Sequence, residues 1–157
     1  MSSESINVDR EACRRPPLAD GLRALLAEAA LSLHAGEATL WVFADEGDTM
    51  TAALNHGPAS AIVEMQAVPA TESVVGFVAT QGTPMVVGPG DWQNPTVMAA
   101  TGIAVIAMVA VPVRCADEVI GTLSVINPVS SERFGIEELR SATAFAARAA
   151  DILCTRP

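Results

Sequence analysis

Apolar residues recur at steps of three and four from Leu18: Leu22, Leu25, Leu26, Ala29 and Leu33 share its face. That spacing predicts a helix from Leu18 to about Ala35, stopped by Gly36. The period then changes. Thr39–Ala44 and Met50–Asn55 read as strands flanking the turn Asp45-Glu46-Gly47-Asp48, a hairpin signal. Asn55-His56-Gly57-Pro58 marks another turn. Ile62–Val68 reads as a third strand, ended by Pro69. A short helix is expected from Ser73 to Gln81, capped by Thr71 or Ser73 and broken by Gly82-Thr83-Pro84. Met85–Val87 is a short strand. Gly88–Pro95 is a loop, and Thr96–Thr101 a helical turn. Ile106–Arg114 and Val119–Ile126 are strands around a turn at Ala116-Asp117, and the last helix runs from Ile136 to Leu153. Strands joined by tight turns predict a mostly antiparallel sheet with helices packed on it, an α/β fold of the α+β type.

The final helix carries the sharpest pattern. Ile136, Leu139, Thr143, Ala146, Ala150 and Leu153 repeat as a heptad seam, and Ala142, Phe145, Ala149 and Ile152 form a second stripe beside it. An apolar arc that wide needs more than one neighbour. With Leu18, Leu22 and Leu25 of the first helix, the seam is expected to form a homodimer interface. Both helices packing together within one chain would satisfy the same pattern.

The totals narrow the function. With 157 residues the chain is long enough for one domain with a sizeable core. Residues 1–16, polar and ending in Pro16-Pro17, read as a flexible arm, with a single domain over 17–157. A net charge of −9 argues against nucleic acid. The basic set is nine arginines without lysine, which removes a P-loop lysine or Schiff base. Cys13, Cys115 and Cys154 are odd in number and lack CxxC spacing, which argues for a reducing, cytoplasmic setting and against a disulfide framework. The longest apolar run, Ile103–Val113, is too short to span a bilayer. His34 and His56 lack a positioned partner, and the acidic turns lack the spacing of a calcium loop, so neither a catalytic nor a metal-ligating residue is assigned.

Four segments, in order, carry a resemblance. They are Ala38–Phe43; Ser73–Ala79 followed by Gln81–Val87; Val109–Val113 followed by Val119–Val125; and Phe134–Leu139. Together they resemble the GAF domain family. The resemblance implies a twisted antiparallel sheet, with N- and C-terminal helices on one face and a ligand pocket under loops and short helices on the other. Its cyclic-nucleotide-binding members carry an Asn-Lys…Phe…Asp-Glu pattern. Here Asn127 and Phe134 match, Pro128 replaces the lysine, and Glu138 stands for the aspartate, so that ligand is not favoured. Tetrapyrrole members use a cysteine or histidine that the 88–101 region lacks. Candidate pocket residues are Phe43, Met65, Phe77, Trp92, Met98 and Met108, with Asn94 and Ser124 as polar contacts and Trp92 as a roof. The expected function is a small-molecule-sensing, signal-transducing homodimer, of unknown ligand and cofactor, that works through a separate output protein or as one module of a longer chain. A dimerisation scaffold with a collapsed pocket is the alternative, and a thiol-based free methionine sulfoxide reductase a further one.

Overall fold

Alternation along the strands divides the molecule into two layers. In β1 (Ala35–Phe43), Ala38, Leu40 and Val42 point into the main core, while Glu37, Thr39 and Trp41 point to the opposite face. The same division holds in β5 (Met108–Cys115), where Val109, Val111 and Val113 join the main core and Met108 and Ala110 face away. The computed structural model describes residues 8–44 and 47–154. Its six strands form one sheet in the order β3-β2-β1-β6-β5-β4, every pair antiparallel. The others are β2 (Thr49–His56), β3 (Ala67–Pro69), β4 (Met85–Val87) and β6 (Glu118–Pro128).

One face carries α2 (Leu18–Ser32) and α6 (Ile136–Cys154), packed on each other and on the sheet. The other carries α3 (Ser60–Val63), α4 (Val74–Gln81) and α5 (Thr96–Thr101). Ser73 caps α4, its hydroxyl accepting from Gly76 N at 3.0 Å. Gly76 is required by close approach: a Cβ there would sit 2.2 Å from the Ala70 carbonyl oxygen. Gly121 of β6 meets the same constraint from β1, 2.2 Å from the Trp41 oxygen.

The structure corrects several expectations. The first helix ends at Ser32, not near Ala35. His34 takes a left-handed φ of 51°, and Ala35 and Gly36 already belong to β1. The segment 62–68 is not a continuous strand. The Ser60 hydroxyl lies 3.0 Å from the Asn55 carbonyl oxygen and 3.1 Å from that of Gly57, and α3 forms there, leaving only Ala67–Pro69 to pair with β2. The hairpin turn at 45–46 lies outside the described residues.

Residues 8–16 are not a loose arm. A short helix, α1 (Arg10–Cys13), buries Cys13 completely. The β1–β2 register skips Ala53, the extra residue of a bulge. Arg14 reaches that irregularity: its Nε donates to the Ala53 carbonyl at 2.8 Å, and its Nη2 donates to the carbonyls of Ala52, at 3.1 Å, and Glu64. Carbonyls freed by a bulge need donors, and a guanidinium supplies several in one plane.

The cysteines are not three free thiols. Cys115, at the end of β5, is disulfide-bonded to Cys154, in the last turn of α6. The chain's return brings positions 39 apart into register, which spacing alone does not reveal. The argument for a reducing compartment loses its premise. Cys13 remains a thiol, pushed up to about 11 by burial first and by the Asp9 charge second.

The dimer seam is largely covered by the chain itself. Leu22, Leu25, Ala146, Ala150 and Leu153 are buried in the main core, and Leu18 and Leu139 are half-buried against it. Heptad spacing marks a stripe that must be covered, and here α2, α6 and β5 cover one another. Of the nine expected interface residues, only Ile136 and Thr143 are exposed.

Candidate functional site

Between the sheet and its short-helix layer lies a partly open cavity of about 60 Å³. Its floor comes from β1 and β6. Thr39 lies directly across from Ser124, and Glu37 from Ile126. Trp41 forms a wall, its indole N–H donating to Ser124 Oγ at 3.0 Å. The roof is the 88–107 segment through Gln93, Asn94, Val97, Met98 and Val105. Side chains pin that roof. Asn94 donates to the Glu72 carbonyl at 2.9 Å, Gln93 to that of Val105 at 3.2 Å, and Val105 N lies 3.3 Å from Met98 Sδ. None of the α5 residues is fully buried, which makes the roof the more easily displaced side of the cavity.

The floor is polar although it lies inside. Glu37 is 6% exposed, Thr39 4% and Ser124 3%. Asn55, across from Thr39 in the β1–β2 hairpin, organises them. Its Nδ2 donates to Glu37 Oε1 and to Thr39 Oγ1, each at 2.7 Å, while its Oδ1 accepts from the Ser60 hydroxyl at 2.9 Å. Burial raises the Glu37 carboxyl above its ordinary value, only partly opposed by the Asn55 hydrogen bond. A raised folded-state value means that the protonated acid suits the fold. The contribution is full below the unfolded value, near 4.5, and is lost as pH climbs through the raised one. Glu37→Gln, neutral at every pH, is therefore expected to melt higher than the parent at neutral pH, the gap closing in acid. Thermal melts across pH check this; a gap that is absent at neutral pH or grows in acid overturns it.

Of the eight pocket candidates, Asn94, Met98, Met108 and Ser124 line the cavity. The other four do not. Met65 is 77% exposed and Trp92 64%, so the tryptophan at the site is Trp41 and not the loop residue. Phe77 is exposed on α4, and Phe43 lines a separate groove beside Asp9 and Arg10. Glu37 and Thr39 are not marked by the sequence because polar residues on an alternating strand read as solvent-facing, and Trp41 because its side of the strand is the polar one. The signal available was Thr39 and Asn55 at matched positions of one hairpin.

Asn127 and Glu138 do structural work. Asn127 accepts from Ile106 N at 2.7 Å and donates to the Ala104 carbonyl at 3.0 Å, and Glu138 accepts from Gly135 N at 2.6 Å at the start of α6. Their agreement with a nucleotide-site pattern thus has a local cause. The cysteines lie apart from the cavity: Cys13 and Cys115 belong to the main core on the other face, and Cys154 packs against it.

An antiparallel sheet with a helix pair on one face and a roofed cavity on the other defines an α+β domain with a candidate binding site on its short-helix side. The GAF domain family profile matches residues 17–153, and the chain belongs to that family. The second GAF domain of DevS from Mycobacterium smegmatis superposes with a TM-score of 0.69 at 24% identity, covering 86% of this chain and 91% of that one. The GAF domain of a phosphoenolpyruvate-protein phosphotransferase from Coxiella burnetii gives 0.72 at 19% identity, over 92% and 86% of the two chains. A type II free methionine-R-sulfoxide reductase from Thermoplasma acidophilum gives 0.69 at 14% identity, over 92% and 94%. At these identities the likeness shows the fold alone. No curated protein matches the chain in sequence. Among the described residues, no helix is long and apolar enough to cross a membrane.

Proposed function

We propose that this GAF domain is a sensory module that takes a small molecule into the cavity between β1, β6 and the 88–107 roof, and that it works as a homodimer passing the bound state to an output protein or domain. The observation that carries the reading is the buried polar floor. Three polar side chains held inside an apolar layer are costly unless they are partnered; Asn55 and Trp41 partner them, and the one oxygen left over, Glu37 Oε2, is accessible and not sealed away. The sensory role agrees with the family to which the chain belongs, whose domains are commonly regulatory. A redox enzyme of the methionine sulfoxide kind is disfavoured, because the cysteine sulfur atoms lie away from the cavity.

The homodimer must use the outer face of the helix pair, since the inner stripes are taken. Ala24 of α2 and Ala144 and Ala147 of α6 are exposed and small enough for close helix approach, and Leu31 of α2 adds an exposed apolar side chain. A dimerisation scaffold is the second reading, favoured by the small size of the cavity. Native mass spectrometry of freshly purified protein reads both properties. A dimer carrying a small extra mass supports the sensor. A bare dimer that still shows no adduct after incubation with cell extract supports the scaffold, and a monomer at high concentration overturns the assembly.

A further inference from the structure

One carboxylate oxygen at the cavity floor has no protein partner among the described residues and is reached by solvent-sized space. Both hydrogens of Asn55 Nδ2 are engaged, one on Glu37 Oε1 and one on Thr39 Oγ1. Trp41 Nε1 is engaged by Ser124. Glu37 Oε2 receives no hydrogen bond from any described residue, and no arginine or histidine among them forms an ion pair with Glu37. The side chain is nonetheless 6% exposed and lines the cavity. The nearby carboxylate of Glu64 shows the contrast. It sits on Arg23, at 2.9 Å, and also accepts from Asn55 N at 2.8 Å. One acid of this corner has an arginine, and the other has only the neutral Asn55 amide.

A buried carboxylate without a counter-charge is stabilised by a proton or by a cation brought to it. The surroundings favour an organic cation over a hydrated metal ion. Trp41, whose ring would stabilise an ammonium group held over its face, lines the cavity with Val68, Val97 and Met108, and no further carboxylate is among the lining residues. Size limits the remainder. A cavity of 150 Å³ holds benzene, so one of about 60 Å³, open on one side, holds about two to three non-hydrogen atoms.

We propose that the cavity is a binding site for a small primary alkylammonium ion, its N–H groups on Glu37 Oε2 and its carbon end against Val97 and Met108. This rests on the cavity being a ligand site, as proposed above. Both positions of the site would respond to an occupant: the β1–β6 floor through Glu37 and the 88–107 roof through Val97.

Ethylammonium chloride tests the proposal, with ethanol as a neutral analogue of like size and acetate as the opposite charge, at constant ionic strength. The indole N–H resonance of Trp41 reports the cavity, and that of exposed Trp92 serves as an internal control. Ethylammonium is expected to shift Trp41 saturably while Trp92 stays still, with ethanol at least tenfold weaker and acetate without effect. Glu37→Gln is expected to weaken ethylammonium at least tenfold and leave ethanol unchanged. Ethylammonium and ethanol binding equally in the unaltered protein overturns the ammonium assignment while leaving the cavity a ligand site, and that comparison needs no variant. A Trp41 resonance silent to both probes overturns the assignment and the ligand-site reading together.

Discussion

Gly121→Ala is expected to lose about 3 kcal/mol of stability or more, since overpacking a tight core costs on that scale. The added methyl carbon would stand 2.2 Å from the Trp41 carbonyl oxygen, a backbone atom with no rotamer to escape into. Relief requires β1 and β6 to separate where Val42 lies across from Gly121, between the two longest strands at the centre of the sheet. Gly76→Ala meets an equally close oxygen, that of Ala70, but Ala70 follows the three-residue edge strand β3 and has more room to shift. The loss there should be smaller. Urea unfolding of both variants checks the pair. A Gly121→Ala protein within 1 kcal/mol of the parent (roughly the effect of an average point substitution) would mean that the central strands are not this close.

Reduction of Cys115–Cys154 is the other large effect. The bond closes a loop with a sequence separation of 39, and the chain-entropy account gives about 4 kcal/mol for such a loop. That is a large share of the 5–15 kcal/mol typical of a domain. The midpoint of unfolding should fall on adding a reductant, while a Cys115→Ala, Cys154→Ala variant should not respond. Amide exchange should rise first in the last turn of α6, where Cys154 is the tie to the sheet. A midpoint indifferent to reductant in the parent protein would remove the bond from the account.

Much of the fold was legible because its elements carry plain periods. Leu22, Leu26 and Ala29 repeat as a helix face, and Ala38, Leu40 and Val42 alternate as a strand; each pattern states which side must be hidden. The patterns do not state what hides it. The α6 heptad positions read as a seam for a second chain, yet β5 and α2 of the same chain occupy them. Arg14 and Cys13 read as parts of a loose tail, because the bulge at Ala53 that engages Arg14 leaves no mark in composition. Residues 62–68 read as a strand from apolar content, whereas Ser60 and its carbonyl partners set a helical turn there first.

The site was half legible for a related reason. Met98, Met108, Asn94 and Ser124 stand out as apolar or amide groups near loops and strand ends, where pockets form. Glu37 and Thr39 do not, since a polar residue on a half-buried strand ordinarily faces water. Only the second layer of helices turns that face inward. The roof that does so is built more than 50 positions later in the chain, by the 88–107 segment.

The placement of β1 beside β6 also governs when the molecule can exist at all. These strands are the middle of the sheet, yet 74 residues separate the end of β1 at Phe43 from the start of β6 at Glu118. During synthesis, everything up to residue 117 must wait with an unpaired edge on β1 and half its hydrophobic face bare. High sequence separation slows such closure and leaves nascent chains open to misassociation. A chain halted before Glu118 therefore lacks the strand that joins β1 to β5, and the two halves of the sheet have no direct pairing between them.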